Sequence, residues 1–260
     1  MSNFIFINLS LIGNWEFVIN IVMYQFSFVI PAKNEEKYLP ACIESIRKQK
    51  GDFSYEIIVV DNNSTDKTFE LAENLGVMVI EERRSGVGQA RKTGTELATG
   101  EYIVNLDADT CIPDNYLIKV EGKFIKNKDL VCIGGMFNFY DGTWLQRLVR
   151  FVFIGPVYLF VFVMSHGSVG PTGNNMVFKK EIYNLTSGFD ARLKYGEDGN
   201  LTRKLCKFGK IRVCRDLMCG VSARRFKFFD KRFWPYVLNS LSVTVKGKPY
   251  KNELECFDKK

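Results

Sequence analysis

From Phe26 onward the chain alternates between two periods of apolar residues. FSFVI is a short apolar run of strand length, and the polar loop PAKNEE follows it. In EKYLPACIESIRKQ the apolar residues Leu39, Ile43 and Ile46 recur at helical spacing, and Pro40 suits a first helical turn. EIIVV (Glu56 to Val60) predicts a second strand, ended by DNNSTD, whose residues cap helices, and FELAENL then predicts a helix. VMVIE is a third strand, GQARKTGTELATG a helix of small residues, and YIVNL (Tyr102 to Leu106) a fourth strand. After Asp114 a helix (YLIKVEGKFIKN) and a strand (VCIGGMF) continue the series. Strand and helix in turn predict an α/β fold with a mainly parallel sheet flanked by helices. Such sheets bind ligands beyond the carboxyl ends of their strands, where this chain carries PAKNEE, DNNSTD and DADT.

Two apolar stretches fall outside this alternation. The leader, residues 1–22, has no basic start of the kind a signal peptide shows, and Gly13, Asn14 and Glu16 make it a poor membrane-spanning helix. FVFIGPVYLFVFVM (Phe151 to Met164) is short for a bilayer span and holds Gly155 and Pro156 at its middle. It predicts either a buried helix pair or an element lying at a membrane surface.

Composition narrows the partners. The chain has 260 residues, 46% of them hydrophobic, enough for one large α/β domain with an appended segment. A net charge of +7 favours an anionic partner: a nucleotide, a nucleic acid or an acidic membrane surface. The seven cysteines form no C-x-x-C pair, which argues against a zinc or dithiol motif and for a reducing, cytoplasmic setting. With one histidine, His166, a His-rich metal site is excluded and a His-based triad disfavoured.

The chemistry concentrates at the strand ends. Asp107 and Asp109 lie two apart after the fourth strand, so both side chains can face one way. Two hard oxygen ligands at that spacing suit Mg²⁺ or Mn²⁺, which would neutralise the pair and draw further oxygens from a diphosphate. The alternative is an acidic turn capping the next helix. Asp61 closes the second strand, placed to accept from a base N–H or a ribose hydroxyl, or to form an Asx turn with Asn63. Glu35 offers the same to a ribose, or complements a helix dipole. Glu197 and Asp198 in YGEDGN precede a helical pattern, where a carboxylate serves as general base or as helix cap.

Taken in order, FSFVIPAKNEEKYLPACIESI, IIVVDNNSTDKT, ARKTGTELATGEYIVNLDADT, GNNMVFKKEIYNLTSGFD and GEDGNLTRKL resemble the family 2 glycosyltransferases of GT-A fold, over about residues 25–210. The resemblance implies an inverting transferase that uses a nucleotide-diphosphate sugar, UDP- or GDP-linked, and a glycan or lipid-linked acceptor; the alternatives are a polyprenyl-phosphate glycosyltransferase and a catalytically silent, membrane-associated nucleotide-binding protein. It implies that Pro31, Ala32 and Glu35 line the nucleotide pocket and that Asp61 binds base or ribose. Arg91 would lie near the donor, and Asp107 and Asp109 would form the metal-binding D-x-D, Asp109 the more direct ligand. Gly173, Asn174 and Asn175 would lie by the acceptor, with Asp198 the base of the Glu197–Asp198 motif. Asn62 stands where many members carry a second acid, and Gly199-Asn200 where a further acid is frequent. The Q-x-x-R-W motif of processive members is absent, which favours transfer of one sugar.

SARRFKFFDKRFWPY (Ser222 to Tyr236) interleaves basic and aromatic residues. It predicts membrane contact, or a diphosphate contact through Arg224 or Arg225 as in similar stretches of the family, or a solvated basic helix over an aromatic core. Nucleic acid is the weakest partner, since no recognisable module accompanies the charge. The expected organisation is the leader 1–22, a GT-A domain over 23–215 and a basic, aromatic helical extension over 216–260. The expected location is cytoplasmic, peripheral at the membrane face.

Overall fold

A computed structural model describes residues 3–10, 16–149, 152, 170–193, 196–225, 238 and 242. The leader contains a hairpin, β1 (Asn3–Ser10) and β2 (Glu16–Met23), paired antiparallel from Asn3 opposite Met23 to Ser10 opposite Glu16. It makes a sheet of its own.

The expected alternation follows. In chain order the elements are β3 (Phe26–Ala32), α1 (Leu39–Arg47), β4 (Tyr55–Asp61), α2 (Thr68–Asn74), β5 (Met78–Glu81), α3 (Val87–Leu97), β6 (Tyr102–Leu106), β7 (Thr110–Cys111) and α4 (Tyr116–Lys126). Then come β8 (Leu130–Phe139), α5 (Trp144–Val149), β9 (Asn175–Lys179), α6 (Lys180–Asn184), α7 (Glu197–Leu205) and β10 (Lys210–Val221). A 3₁₀ turn, Ala223–Arg225, follows β10. The eight strands after the hairpin form one sheet in the order β5-β4-β3-β6-β9-β8-β10-β7. The half β5-β4-β3-β6 is parallel throughout, whereas β9 runs antiparallel to both β6 and β8. The GT-A architecture, a mixed α/β sheet flanked by helices, is thus borne out.

Period-two alternation sends successive side chains to opposite faces of the sheet. Phe26, Phe28 and Ile30 of β3 and Ile57 and Val59 of β4 join one core cluster, covered by Leu39, Cys42, Ile43 and Ile46 of α1 and Leu117, Val120 and Phe124 of α4. Val29, Ile58 and Val60 point the other way, to Ala90 of α3 and Leu201 and Leu205 of α7. Helix α3 lies close to the sheet because it carries small residues. A Cβ on Gly94 would stand 2.5 Å from Val29 and 2.9 Å from Val60. Each large side chain buried this way contributes roughly 1.5–3 kcal/mol, which offsets the cost of the charges gathered at the sheet edge.

The domain boundary expected at 215/216 falls inside β10, so residues 216–221 belong to the sheet. The basic, aromatic stretch lies within the described residues only as far as Arg225. Beyond it, residues 238 and 242 alone are described, and the expected helical extension lies outside. The apolar segment 151–164 also lies outside, apart from Val152. Among the described residues no helix is long and apolar enough to cross a membrane. The six described cysteines are free.

Candidate active site

The parallel half of the sheet brings its loops together. Ala32 pairs with Asp61 across β3 and β4, and Asp61 with Glu81 across β4 and β5, so three strand ends lie side by side. The first two loops interlock. The Asn34 N–H donates to Ser64 Oγ at 3.0 Å, and the Thr65 N–H donates to Asn34 Oδ1 at 2.8 Å. The Glu35 N–H donates to Thr68 Oγ1 at 2.7 Å. Asn34 and Asn63 both take positive φ, 56° and 61°, a conformation asparagine tolerates better than most side chains.

Asp61 is buried. Its Oδ2 accepts from the Ser64 N–H at 3.1 Å, one residue beyond the Asn63 partner expected of an Asx turn. Its Oδ1 has no partner, the one carboxylate oxygen among the described residues that is both buried and unsatisfied. A lone buried acceptor of this kind fits a donor group of a ligand. Pro31 is half-buried, whereas Ala32 faces the core, its carbonyl taken by the Asn62 N–H at 2.8 Å. Asn62 itself is fully engaged: its amide donates to the carbonyls of Glu82 and Arg84 at 2.7 and 2.8 Å and accepts from the Gly86 N–H at 2.8 Å. It fastens the loop after β5. There Glu82 accepts from Arg84, Gln89 and Thr93, and these bonds, led by that from Arg84, hold its carboxyl well below the usual range.

The antiparallel pairing of β10 with β7 sets Val221 opposite Thr110, and so carries the turn after β10 to the D-x-D. Arg224 Nε donates to Asp109 Oδ2 at 3.2 Å, and its Nη2 donates to both oxygens of Glu35. Arg225 Nη2 donates to Glu35 Oε1 at 2.7 Å. The Arg224 guanidinium also lies 4.2 Å from the centre of the Tyr38 ring, a cation–π contact. Burial pushes the Glu35 and Asp109 carboxyls up, and the two arginines oppose that push. Asp141 anchors the turn, accepting from the Ser222 hydroxyl and the Ala223 N–H, each at 2.6 Å.

A second register builds the other half of the site. Leu106 pairs with Asn175 across β6 and β9, which sets residues 172–174 beside Asp107. Arg91 reaches up from α3 between two acids, donating to Asp107 Oδ1 at 2.7 Å and to Glu197 Oε1. Gly173 lies flat on that guanidinium, and a Cβ there would overlap it. Burial pushes the Glu197 carboxyl up, with Arg91 opposing. Asp198 is half-buried in the first turn of α7. Its Oδ2 accepts from the Gly173 N–H at 2.9 Å and its Oδ1 from the Gly199 N–H at 2.7 Å.

Most residues singled out from the sequence therefore meet at one edge: Glu35, Asp61, Arg91, Asp107, Asp109, Gly173, Glu197, Asp198, Arg224 and Arg225. Asn174 is half-buried and accepts from the Thr172 hydroxyl at 2.6 Å. Asn175 is fully buried, accepting from the Tyr116 hydroxyl and donating to the Leu217 carbonyl, each at 2.6 Å. It pins β9 to its surroundings and is closed to an acceptor. Tyr38 and Glu82 are site residues that the sequence reading passed over. Glu82 directly follows the end of β5, much as Asp61 ends β4, and that position was the available sign. Asp107 and Asp109 supply two hard oxygen donors, and no three His, Cys, Asp or Glu side chains group as a cation site among the described residues. A cation here would complete its shell with ligand oxygens and water.

Comparison with known proteins bears on this edge. The family model described as Glycosyl transferase family 2 matches residues 27–186. Glycosyltransferase GlyG of Streptococcus pneumoniae serotype 4 is 35% identical over 120 residues, 44% of this chain and 39% of that protein. The chain thus spans about two fifths of that relative's length. Among solved structures, mannosyltransferase PcManGT from Pyrobaculum calidifontis, in complex with GDP-Man and Mn²⁺, aligns with a TM-score of 0.63 at 18% identity, over 86% of this chain and 65% of that one. Glucosyl-3-phosphoglycerate synthase from Mycobacterium tuberculosis, in complex with Mn²⁺ and UDP-glucose, aligns with a TM-score of 0.62 at 20% identity, over 87% and 80%. At these identities the structures speak for the fold.

Proposed function

The chain belongs to glycosyl transferase family 2, and on that premise we propose that it moves one sugar from a nucleotide-diphosphate donor, UDP- or GDP-linked, to a glycan or lipid-linked acceptor, with inversion. The observation that carries this reading is the unpartnered Asp61 Oδ1 at the end of β4, on the same sheet edge as the acids that follow β3 and β6. Asp61 accepts from the base or ribose, and Glu35 lines the same pocket. Asp107 and Asp109 would hold Mg²⁺ or Mn²⁺, whose charge would stabilise the departing diphosphate. Arg224 and Arg225 add positive charge there. Asp198 accepts the proton of the acceptor hydroxyl, whose oxygen attacks the anomeric carbon from the face opposite the leaving group. That single displacement inverts the carbon. Glu197, locked to Arg91, orients the turn that carries Asp198.

Calorimetric titration of UDP and GDP, with and without Mn²⁺, into wild type and Asp109→Ala tests the donor site. The reading requires Mn²⁺-dependent binding of one nucleotide that is lost in the variant. Failure of both nucleotides to bind would refute it.

A lipid phosphate is the second acceptor reading. It is favoured by Trp144, Leu145 and Leu148, which α5 exposes a few residues from the Asp141 anchor. The same face would seat the protein peripherally on a membrane. Label from a sugar donor that partitions into extracted lipid when a lipid phosphate is the sole acceptor supplied would support this acceptor. Label confined to water-soluble glycan would exclude it.

A further inference from the structure

The carboxylates of Asp109 and Glu35 are only 7% and 5% exposed. Two carboxylates that close to being sealed need a counter-charge. Arg224 supplies it, with Nε on Asp109 Oδ2 and Nη2 on Glu35. A divalent cation at Asp109 would need the same oxygen, so cation and guanidinium compete for it. Arg224 can yield. Its side chain is 24% exposed, rests on the half-buried Tyr38 ring, and springs from a turn whose backbone Asp141 holds in place. Only the side chain has to move.

We propose that Arg224 is an internal counter-ion exchanged for the divalent cation. When cation and nucleotide diphosphate enter together, the cation takes Asp109, and the released guanidinium pairs with the diphosphate. Cation capture thereby couples to the nucleotide, because without a diphosphate the displaced arginine gives up Asp109 and keeps only Glu35, which it already holds. This inference rests on the metal-dependent reading of Asp107 and Asp109.

The test titrates Mn²⁺ alone, by calorimetry, into the full-length wild type, Arg224→Ala and Arg225→Ala, and then titrates UDP or GDP in saturating Mn²⁺. Exchange predicts that Arg224→Ala binds Mn²⁺ alone roughly tenfold more tightly than wild type, a coupling of the size seen between linked sites. The same variant binds the nucleotide with Mn²⁺ roughly tenfold more weakly. Arg225→Ala, which touches Glu35 but not Asp109, leaves Mn²⁺ affinity closer to wild type. Arg224→Gln reads the same exchange should Arg224→Ala not fold. A folded Arg224→Ala that binds Mn²⁺ alone no better than wild type would overturn the exchange while leaving the metal site standing. Nucleotide binding to wild type that is indifferent to Mn²⁺ would overturn the metal site and the exchange with it.

Discussion

Arg91 and Arg224 do the same arithmetic in different surroundings. Each sets one guanidinium between two carboxylates, and each takes one of them from the D-x-D. Arg91 is 4% exposed, roofed by Gly173 and flanked by Glu197, which is itself buried. Arg224 is 24% exposed and stands on a short turn at the rim. A sealed ion pair is expensive to break, because the partner left behind stays buried and charged. A pair at the rim can trade its partner for a ligand. The difference assigns the roles: Arg91 is the fixed post that ties Asp107 to the turn carrying Asp198, and Arg224 is the movable charge.

The largest expected effect breaks the post. Arg91→Met leaves Glu197 buried without its cation and should cost about 3–5 kcal/mol, read as a lower urea midpoint by circular dichroism. Arg91→Lys should recover only part of that loss, since an ammonium lacks the planar fork that meets two carboxylates. Gly173→Ala comes next. Its methyl overlaps the guanidinium and should cost about 1–3 kcal/mol, while sugar transfer falls further because the Gly173 N–H holds Asp198. Stability and turnover measured on the same preparation separate the two effects. Glu82 extends the comparison to an acid held by hydrogen bonds from its own loop. Its carboxyl is depressed when folded, so its stabilising contribution is present above about pH 4.3, the ordinary glutamate value, and is lost as pH falls below it. The stability gap between wild type and Glu82→Gln should therefore be wider at pH 7 than at pH 3.5 in matched denaturation curves. The smallest effect belongs to Arg225→Ala. That side chain is 51% exposed, and its loss should shift stability by less than about 1 kcal/mol.

The sequence disclosed what is local. Runs such as FSFVI and EIIVV announce strands because burial on both faces demands consecutive apolar residues, and the acids that close those strands mark the ligand edge. The long-range pairing was hidden. Arg91 meets Glu197 across 106 positions and Arg224 meets Asp109 across 115, distances closed by the registers of β9 on β6 and β10 on β7. No periodicity in the chain reports those registers. Asn175 shows the same gap from the other side. The family resemblance placed it by the acceptor, yet Tyr116, 59 positions away, and the Leu217 carbonyl close it off. The extent of β10 was missed because KIRVCRDLMCGV alternates weakly and carries charge on its exposed positions.

Turnover of a labelled donor sugar by wild type and Asp198→Asn, with donor affinity measured in parallel, tests the account most directly. Asp198→Asn should bind donor as wild type does and lose roughly 100-fold or more in transfer to a hydroxyl acceptor, the scale of a general base. Equal turnover by the two proteins on a hydroxyl acceptor would contradict the role given to Asp198 and the mechanism built on it.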